Sequence, residues 1–534
     1  MFPASEIEWG PIDAAEPDEN FELKFAETDQ FRDLFDPRYV IIFGEKGTGK
    51  TAFLKKYFPL NVVSDSATLW LKFDDIEFSA IIKNLNDLSA LTDIARTTFI
   101  TNFWKYVIIV QAAKALILKQ KISISTNGII LRDYLRKKCL IKRSTFSMLL
   151  VSIERAWKLA ERLTSREGRQ NSSIEAELQL PSTGLSSQVI DTLKSYPIFD
   201  PDFVEFEAVF SKLLMEQNVY VNVAFDGLDR LETNLPDSKI GLDTIFNGLA
   251  QAVYDISISP KFHKSIKIKC LFPYDRYIAL SLRDIDKIGG RSCPIVWTYE
   301  GLKLFLQRRM VLNRTLSRYQ NFEKMWEEFM PSHLFNDVHA VEEKTLDYLF
   351  RHTMYRPRHL QIHLERLSKR HHGQIIDKSA IRKSIQESSD EIVKGYIKEY
   401  EIDHPNLAEF LLLFRGKPTV MKFEEFSGLI RSAIDRFKVE MPSQEKINLL
   451  YSMGLFGIVR WIEHREIVHD SSASSYLPPI SPKGRSRMRY WVEFYYKKAN
   501  RNVATELKPT DEIALHPLFF GHCQLVPVDG MVIG

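Results

Sequence analysis

An α/β architecture built on a parallel sheet is what this sequence calls for. Tyr39–Phe43 (YVIIF) is a run of five apolar residues ending at Gly44; Val219–Phe225 (VYVNVAF) and Ser265–Phe272 (SIKIKCLF) are two more short, mainly apolar runs. Such runs suit strands buried on both faces, as in a sheet whose crossover helices cover it. A helical stretch, Leu242–Tyr254, separates the second run from the third, and strands alternating with helices over about 230 residues predict a parallel order. Trp70–Phe73 is a further strand candidate.

The elements follow in order. Residues 1–20 are acidic and broken by Pro3, Pro11 and Pro17. They read as a flexible leader, without the basic start and apolar block of a secretory signal. Phe21, Phe25, Phe31, Leu34 and Phe35 fall near helical spacing, and Pro37 closes that segment. The most apolar long stretch, Phe99–Leu118, carries Asn102, Lys105, Gln111 and Lys114, which makes it a buried helix rather than a membrane span. Residues 164–188 are polar, small and aperiodic, a surface loop expected to be mobile. Residues 296–394 carry amphipathic helical patterns. Beyond 395, three helical stretches (407–414, 423–434 and 444–459) precede a β segment at 487–496, a winged-helix-like order. The domains expected are a leader (1–20), an α/β core with a helical insertion (21–295), a helical domain (296–394) and a winged-helix-like domain (395–534).

With 534 residues, the chain exceeds what a single core supports and predicts two to four domains. The 72 basic and 69 acidic residues nearly cancel, so the molecule as a whole offers no field to a polyanion, and any nucleic-acid contact must be local. Cys139, Cys270, Cys293 and Cys523 are too few and too scattered for a disulfide framework or a zinc knuckle, which fits a reducing cytoplasm.

Residues 44–51, Gly44-Glu45-Lys46-Gly47-Thr48-Gly49-Lys50-Thr51, match G-x-x-x-x-G-K-[ST] in full. The spacing has a physical basis. The loop between the glycines can curl its amides inward around phosphate oxygens, and the following helix N-terminus reinforces them. Lys50 would reach the β and γ phosphates and Thr51 would ligate Mg2+. A strand before the motif and a helix after it are the context that the chemistry needs. No separate N-K-x-D guanine-recognition string accompanies the loop, so ATP is the expected nucleotide.

Phosphoryl transfer also needs an acidic residue at the end of a second buried strand. The segment VNVAFDGLDR places Asp226 there, as the second holder of Mg2+. Asp229, three residues on, is the candidate to orient or deprotonate the attacking water, or else the N-cap of the next helix. Arg230 is either an arginine finger for a neighbouring subunit or a surface ion-pair partner.

The combination FGEKGTGKT, AFDGLDR and YRPRHL resembles bacterial P-loop ATPases related to the signal-transducing STAND NTPases (NACHT and KAP) and to AAA+ proteins of the initiator type. The resemblance spans roughly residues 20–370 and implies a P-loop NTPase core and a helical lid with an arginine that senses nucleotide. Arg356 or Arg358 would carry that role, with Pro357 fixing the helix start, or else RPR is a surface helix cap. The chain departs from the pattern after the third strand, where Pro273 stands in place of an expected arginine. Asp275 is the polar sensor candidate there and Arg276 the substitute. KAP relatives often carry membrane helices, and this sequence shows none.

In the last part, Lys483, Arg485, Arg487 and Arg489 cluster beside Tyr490 and Trp491, either a wing along a nucleic-acid backbone or a solvated hairpin. Three functions stay open. The resemblance favours an ATP-binding and ATP-hydrolysing switch, in bacterial antiviral defence or signalling, acting as a homo-oligomer or through an effector protein. The alternatives are a DNA-engaging loader-type ATPase and a nucleotide-binding scaffold without turnover.

Overall fold

The computed structural model describes residues 7–60, 66–72, 93–118, 125–137, 202–228, 242–282, 285–336, 341–370, 376, 378–401, 404–439, 441–463, 488–494 and 507–525. The chain divides into two compact units, residues 29–295 and residues 1–28 together with 296–534. Among the described residues no helix is long and apolar enough to cross a membrane. Helices are numbered along the chain from α1 (Phe21–Lys24).

The unit of residues 29–295 runs α2 (Asp29–Leu34), β1 (Ile41–Gly44), α3 (Lys50–Leu60), β2 (Ala67–Lys72), α4 (Asp93–Ile117), α5 (Thr126–Lys137), α6 (Phe203–Gln217), β3 (Val221–Asp226), α7 (Leu242–Ile258), β4 (Ile266–Pro273), α8 (Tyr274–Ile278), α9 (Ile285–Gly289) and β5 (Ser292–Pro294). The five strands form one parallel sheet in the order β2-β3-β4-β1-β5, so the α/β expectation holds. All of β1 and β3 is buried, which explains their unbroken apolar sequence. After β1 the chain crosses to β2 at one edge, and after β4 it crosses to β5 at the other. Adjacent strands whose connections leave in opposite directions open a crevice at their carboxyl ends. The register sets Gly44 of β1 beside Pro273 of β4 at that end.

Helix α4 supplies the buried helix expected around Trp104, and it packs closely on α7. A Cβ on Gly248 of α7 would lie 2.5 Å from Ile100 Cγ2, so the glycine allows the two helices to approach. Phe246 of α7 meets Phe272 of β4 with ring centroids 5.5 Å apart, which fastens the helix layer to the sheet. The strand β5 was not expected, because three residues ending in proline give no periodic signal.

In the other unit, the N-terminal segment differs from the flexible leader expected over 1–20. Ile7 and Trp9 are buried in the hydrophobic core formed with residues beyond 300. Trp9 Nε1 donates to Ser368 Oγ at 2.9 Å, and Arg309 donates to the carbonyls of Trp9 and Lys24. The acidic composition also has a partner. Lys24, almost wholly buried, pairs with Glu8 and Asp18. Prolines spaced through a segment do not free it when its aromatic side chain has a core to enter.

Helices α10 (Tyr299–Met310) and α11 (Phe322–Phe329) start at side-chain caps, Thr298 and Asn321. An antiparallel hairpin, β6 (His333–Asn336) with β7 (Val341–Lys344), interrupts what was expected to be all helix, before α12 (Thr345–Arg351), α13 (Pro357–Arg370) and α14 (Lys378–Tyr400). The domain boundary expected at 394 falls inside α14. Residues on both sides of it share one continuous core, in which Tyr396 Oη donates to the Met453 carbonyl at 2.8 Å.

The chain then runs α15 (Leu407–Leu412), β8 (Val420–Lys422), α16 (Phe423–Phe437), α17 (Ser443–Ser452), β9 (Phe456–Glu463), β10 (Met488–Phe494), β11 (Glu512–Leu515) and α18 (Phe520–Cys523). The sheet order is β10-β9-β11-β8, antiparallel wherever the pairs are described. Residues 444–459, expected as one helix, split into α17 and β9. Gly454, at φ +79°, takes the left-handed turn that ends the helix, and the apolar FGIV that follows joins the sheet.

Candidate nucleotide site

The glycine motif connects β1 to α3, as its spacing predicts. Gly47 and Gly49 adopt φ +84° and +90°, values that residues with a Cβ rarely take. Gly44 is required for a different reason: a Cβ there would lie 2.8 Å from Thr48 Oγ1 and 3.3 Å from Ile295 Cβ. Thr48 Oγ1 donates to the Glu45 carbonyl at 2.7 Å and holds the loop closed from within. Lys46 lies in the same turn.

Lys50 opens α3, and its ammonium donates back to the carbonyls of Gly44 (2.7 Å) and Glu45 (3.1 Å), so its charge sits over the loop. Thr51, the next residue, donates from Oγ1 to Asp226 Oδ1 at 3.1 Å. That bond joins positions 175 apart in sequence and brings the two motifs together at the carboxyl end of the sheet. Asp226 is buried, and its Oδ1 also accepts from the Gly227 amide at 2.9 Å, which fixes the carboxylate. Gly227, at φ +76°, turns the chain away from β3.

A hydroxyl and a carboxylate are hard oxygen donors. Together they fit Mg2+, which is usually held by one or two protein oxygens along with substrate phosphates and water. When bound, such an ion would neutralise phosphate charge. Asp229 and Arg230, the water-orienting and finger candidates, lie outside the described residues, as does the loop 164–188.

Asp275 lies in the first turn of α8, two residues beyond Pro273, which pairs with Gly44. Its carboxylate is 3.5 Å from Arg276 Nε, and Arg276 Nη1 is also 3.5 Å from Asp243 Oδ1. Arg276 is itself buried, a packed ion-pair partner on the core side of α8. Phe43 stacks on Tyr277 at 3.7 Å, which docks α8 against the strand that leads into the loop.

The two sensor candidates of the other unit differ in setting. Arg356 is 1% exposed, donates to Glu399 Oε2 at 3.3 Å and lies 5.9 Å from the Tyr396 ring. It therefore ties the start of α13 to α14, a structural role that the sequence did not suggest. Arg358, in the first turn of α13, is half-buried. Two consecutive left-handed residues, Met354 (φ 49°) and Tyr355 (φ 55°), precede this helix, and their buried side chains hold the strained turn.

Of the basic hairpin candidates, Lys483, Arg485 and Arg487 lie outside the described residues. Arg489 lies on β10 opposite Ile462 of β9. The strand that carries Arg489 pairs antiparallel with β9.

No model of a known protein family matches this chain, and no curated protein matches it in sequence.

Proposed function

We propose that the chain is a P-loop ATPase of the STAND and AAA+ kind, a switch that binds Mg–ATP between the loop 44–51 and Asp226 and hydrolyses it. The observation that carries this reading is the Thr51–Asp226 hydrogen bond, which joins the two halves of a phosphate and metal site from distant parts of the sequence. Lys50 over the loop and the strand order that opens a crevice beside Gly44 point the same way. In this reading the loop amides and Lys50 bind the phosphate chain. Thr51 and Asp226 hold the cation, and Asp275 is a candidate for sensing the γ phosphate. The nucleotide state then determines which form of the chain assembles with copies of itself or with an effector protein.

The test is phosphate release from Mg–ATP by the purified chain, together with native mass measurement in the presence and absence of nucleotide. Loss of both binding and release in Lys50→Ala is expected. Release that survives Lys50→Ala would remove the loop from the chemistry, and binding without release in the intact protein would leave a nucleotide-binding scaffold.

One observation favours a second reading. The element order α15-β8-α16-α17-β9-β10-β11, with β11 between β8 and β9 in the sheet, supports reading this part as a winged-helix module with one added strand, a kind of module that binds DNA or proteins. Salt-dependent DNA binding that is lost on changing Arg485, Arg487 and Arg489 would assign the module to a loader-type ATPase.

A further inference from the structure

Lys269 stands in the middle of β4, 2% exposed, in the strand between β1 and β3. Burying an ammonium without partners costs several kcal/mol, and an apolar side chain at such a position is generally at least as stabilising. Its partners here are three backbone carbonyls: Leu34 at 2.9 Å, Asp36 at 2.8 Å and Tyr39 at 2.6 Å. Leu34 ends α2, and Asp36 and Tyr39 belong to the segment that enters β1, so one side chain holds the whole approach to the glycine loop. The same Nζ lies 5.2 Å from the ring of Tyr57 on α3. Phe31 and Phe35 continue this contact by packing on Phe53 and Tyr57, the apolar side of the helix whose first turn carries Lys50 and Thr51.

We propose that Lys269 is a positioning residue of the phosphate loop: its ammonium clasps the α2–β1 segment against α3 and thereby sets the spacing between Gly44 and the first turn of α3. The role rests on the nucleotide reading above and adds to it a lysine that no phosphate-binding motif contains. The clasp depends on charge, because an ammonium has three N–H donors for three carbonyls and an amine has two. Burial lowers the Lys269 pKa to about 7, so the change falls within an accessible range. The Asp36 charge favours the charged form and Lys267 opposes it. Asp36 stays ionised because Arg38 bonds its carboxylate, while burial raises Tyr57 to about 12 and Cys293, which Asp33 also faces, to about 11. Asp36, Tyr57 and Cys293 therefore keep their protonation between pH 6 and 9, and the response over that interval is assigned to Lys269.

The experiment uses the full chain, with Lys269→Met and Lys269→Arg, and reads two quantities. Hydrogen exchange of the amides over 35–44 should quicken about tenfold or more in Lys269→Met while the amides of β3 keep their protection. Mg–ATP affinity in the wild type should weaken by about fivefold more between pH 6 and pH 9 than in Lys269→Met, the worth of one hydrogen bond. Lys269→Arg stays charged throughout and should show no such loss. Unchanged exchange over 35–44 in Lys269→Met, or wild-type and Lys269→Arg pH profiles that coincide, overturns the proposal. If Lys269→Met does not fold, the Lys269→Arg comparison decides. A wild type that binds no Mg–ATP at either pH refutes the nucleotide reading, and the exchange measurement then still tests the clasp.

Discussion

Acidification from pH 7.5 to 5 should destabilise the unit that contains α12–α14, through three buried histidines. Burial lowers the pKa of His352 to about 3, with the Arg351 charge adding to it, and that of His363 to about 4; His359 is also held well below its ordinary value, by burial and then by Arg356. Each ring is bonded in its neutral form. His352 donates from Nδ1 to the Tyr348 carbonyl and His359 to that of Thr353, while His363 donates from Nε2 to the His352 carbonyl and accepts from Ser388 at Nδ1. In the unfolded chain the same rings take up protons near pH 6.5. Between that value and the depressed ones the unfolded state binds more protons, so their contribution is fully present above about 6.5 and is lost as pH falls.

At pH 5 the folded rings remain neutral, and linkage gives about 2 kcal/mol of lost stability per histidine, or roughly 4 kcal/mol for His352 and His363 together. A domain with about 5–15 kcal/mol in total cannot absorb that unnoticed. Urea titration at pH 7.5, 6 and 5, with hydrogen exchange of α12 and α13 peptides, measures the loss. A midpoint that does not move over this range, or imidazole resonances of these histidines titrating near 6.5, would refute the reasoning.

Other perturbations separate the site from the scaffold. Asp226→Asn keeps the shape of the carboxylate and removes its charge, and should reduce phosphate release at least about a hundredfold with little change in thermal stability. Gly49→Ala meets only Ala52 Cβ at 4.0 Å, so its penalty is torsional, about 1–2 kcal/mol by thermal denaturation, with a larger proportional loss in Mg–ATP affinity. Gly248→Ala overpacks the α4–α7 crossing and should cost about 1–3 kcal/mol without altering nucleotide affinity at saturating fold. Trp9→Ala removes a buried indole from the core and should cost about 3–5 kcal/mol in the unit it packs with, whereas a loose leader over residues 1–20 would show no loss.

Much of the core was legible in the sequence, and for an identifiable reason. The runs around Ile41, Val223 and Ile268 are apolar because parallel strands are covered on both faces, and the glycine motif owes its spacing to local torsions that a chain of eight residues already encodes. Signals that depend on distant partners were not legible. Three-residue strands such as Ser292–Pro294 and Val420–Lys422 have no period of their own and exist only through pairing with neighbours. Trp9 looked like part of a loose segment because the core that receives it lies about three hundred residues later, and Arg356 looked like a sensor because Glu399 is invisible from YRPRHL.

The same distinction runs through the candidate site. Glycine torsions, the Lys50–Thr51 pair and an aspartate ending an apolar run are local chemistry, written in the order of residues. That Thr51 reaches Asp226, that β4 lies between β3, which ends at Asp226, and β1, which leads into the loop, and that a lysine in β4 holds three carbonyls ahead of β1 were decided by strand order. Hydrogen bonds act over about 3 Å, so which of them form depends on what folding brings within that distance.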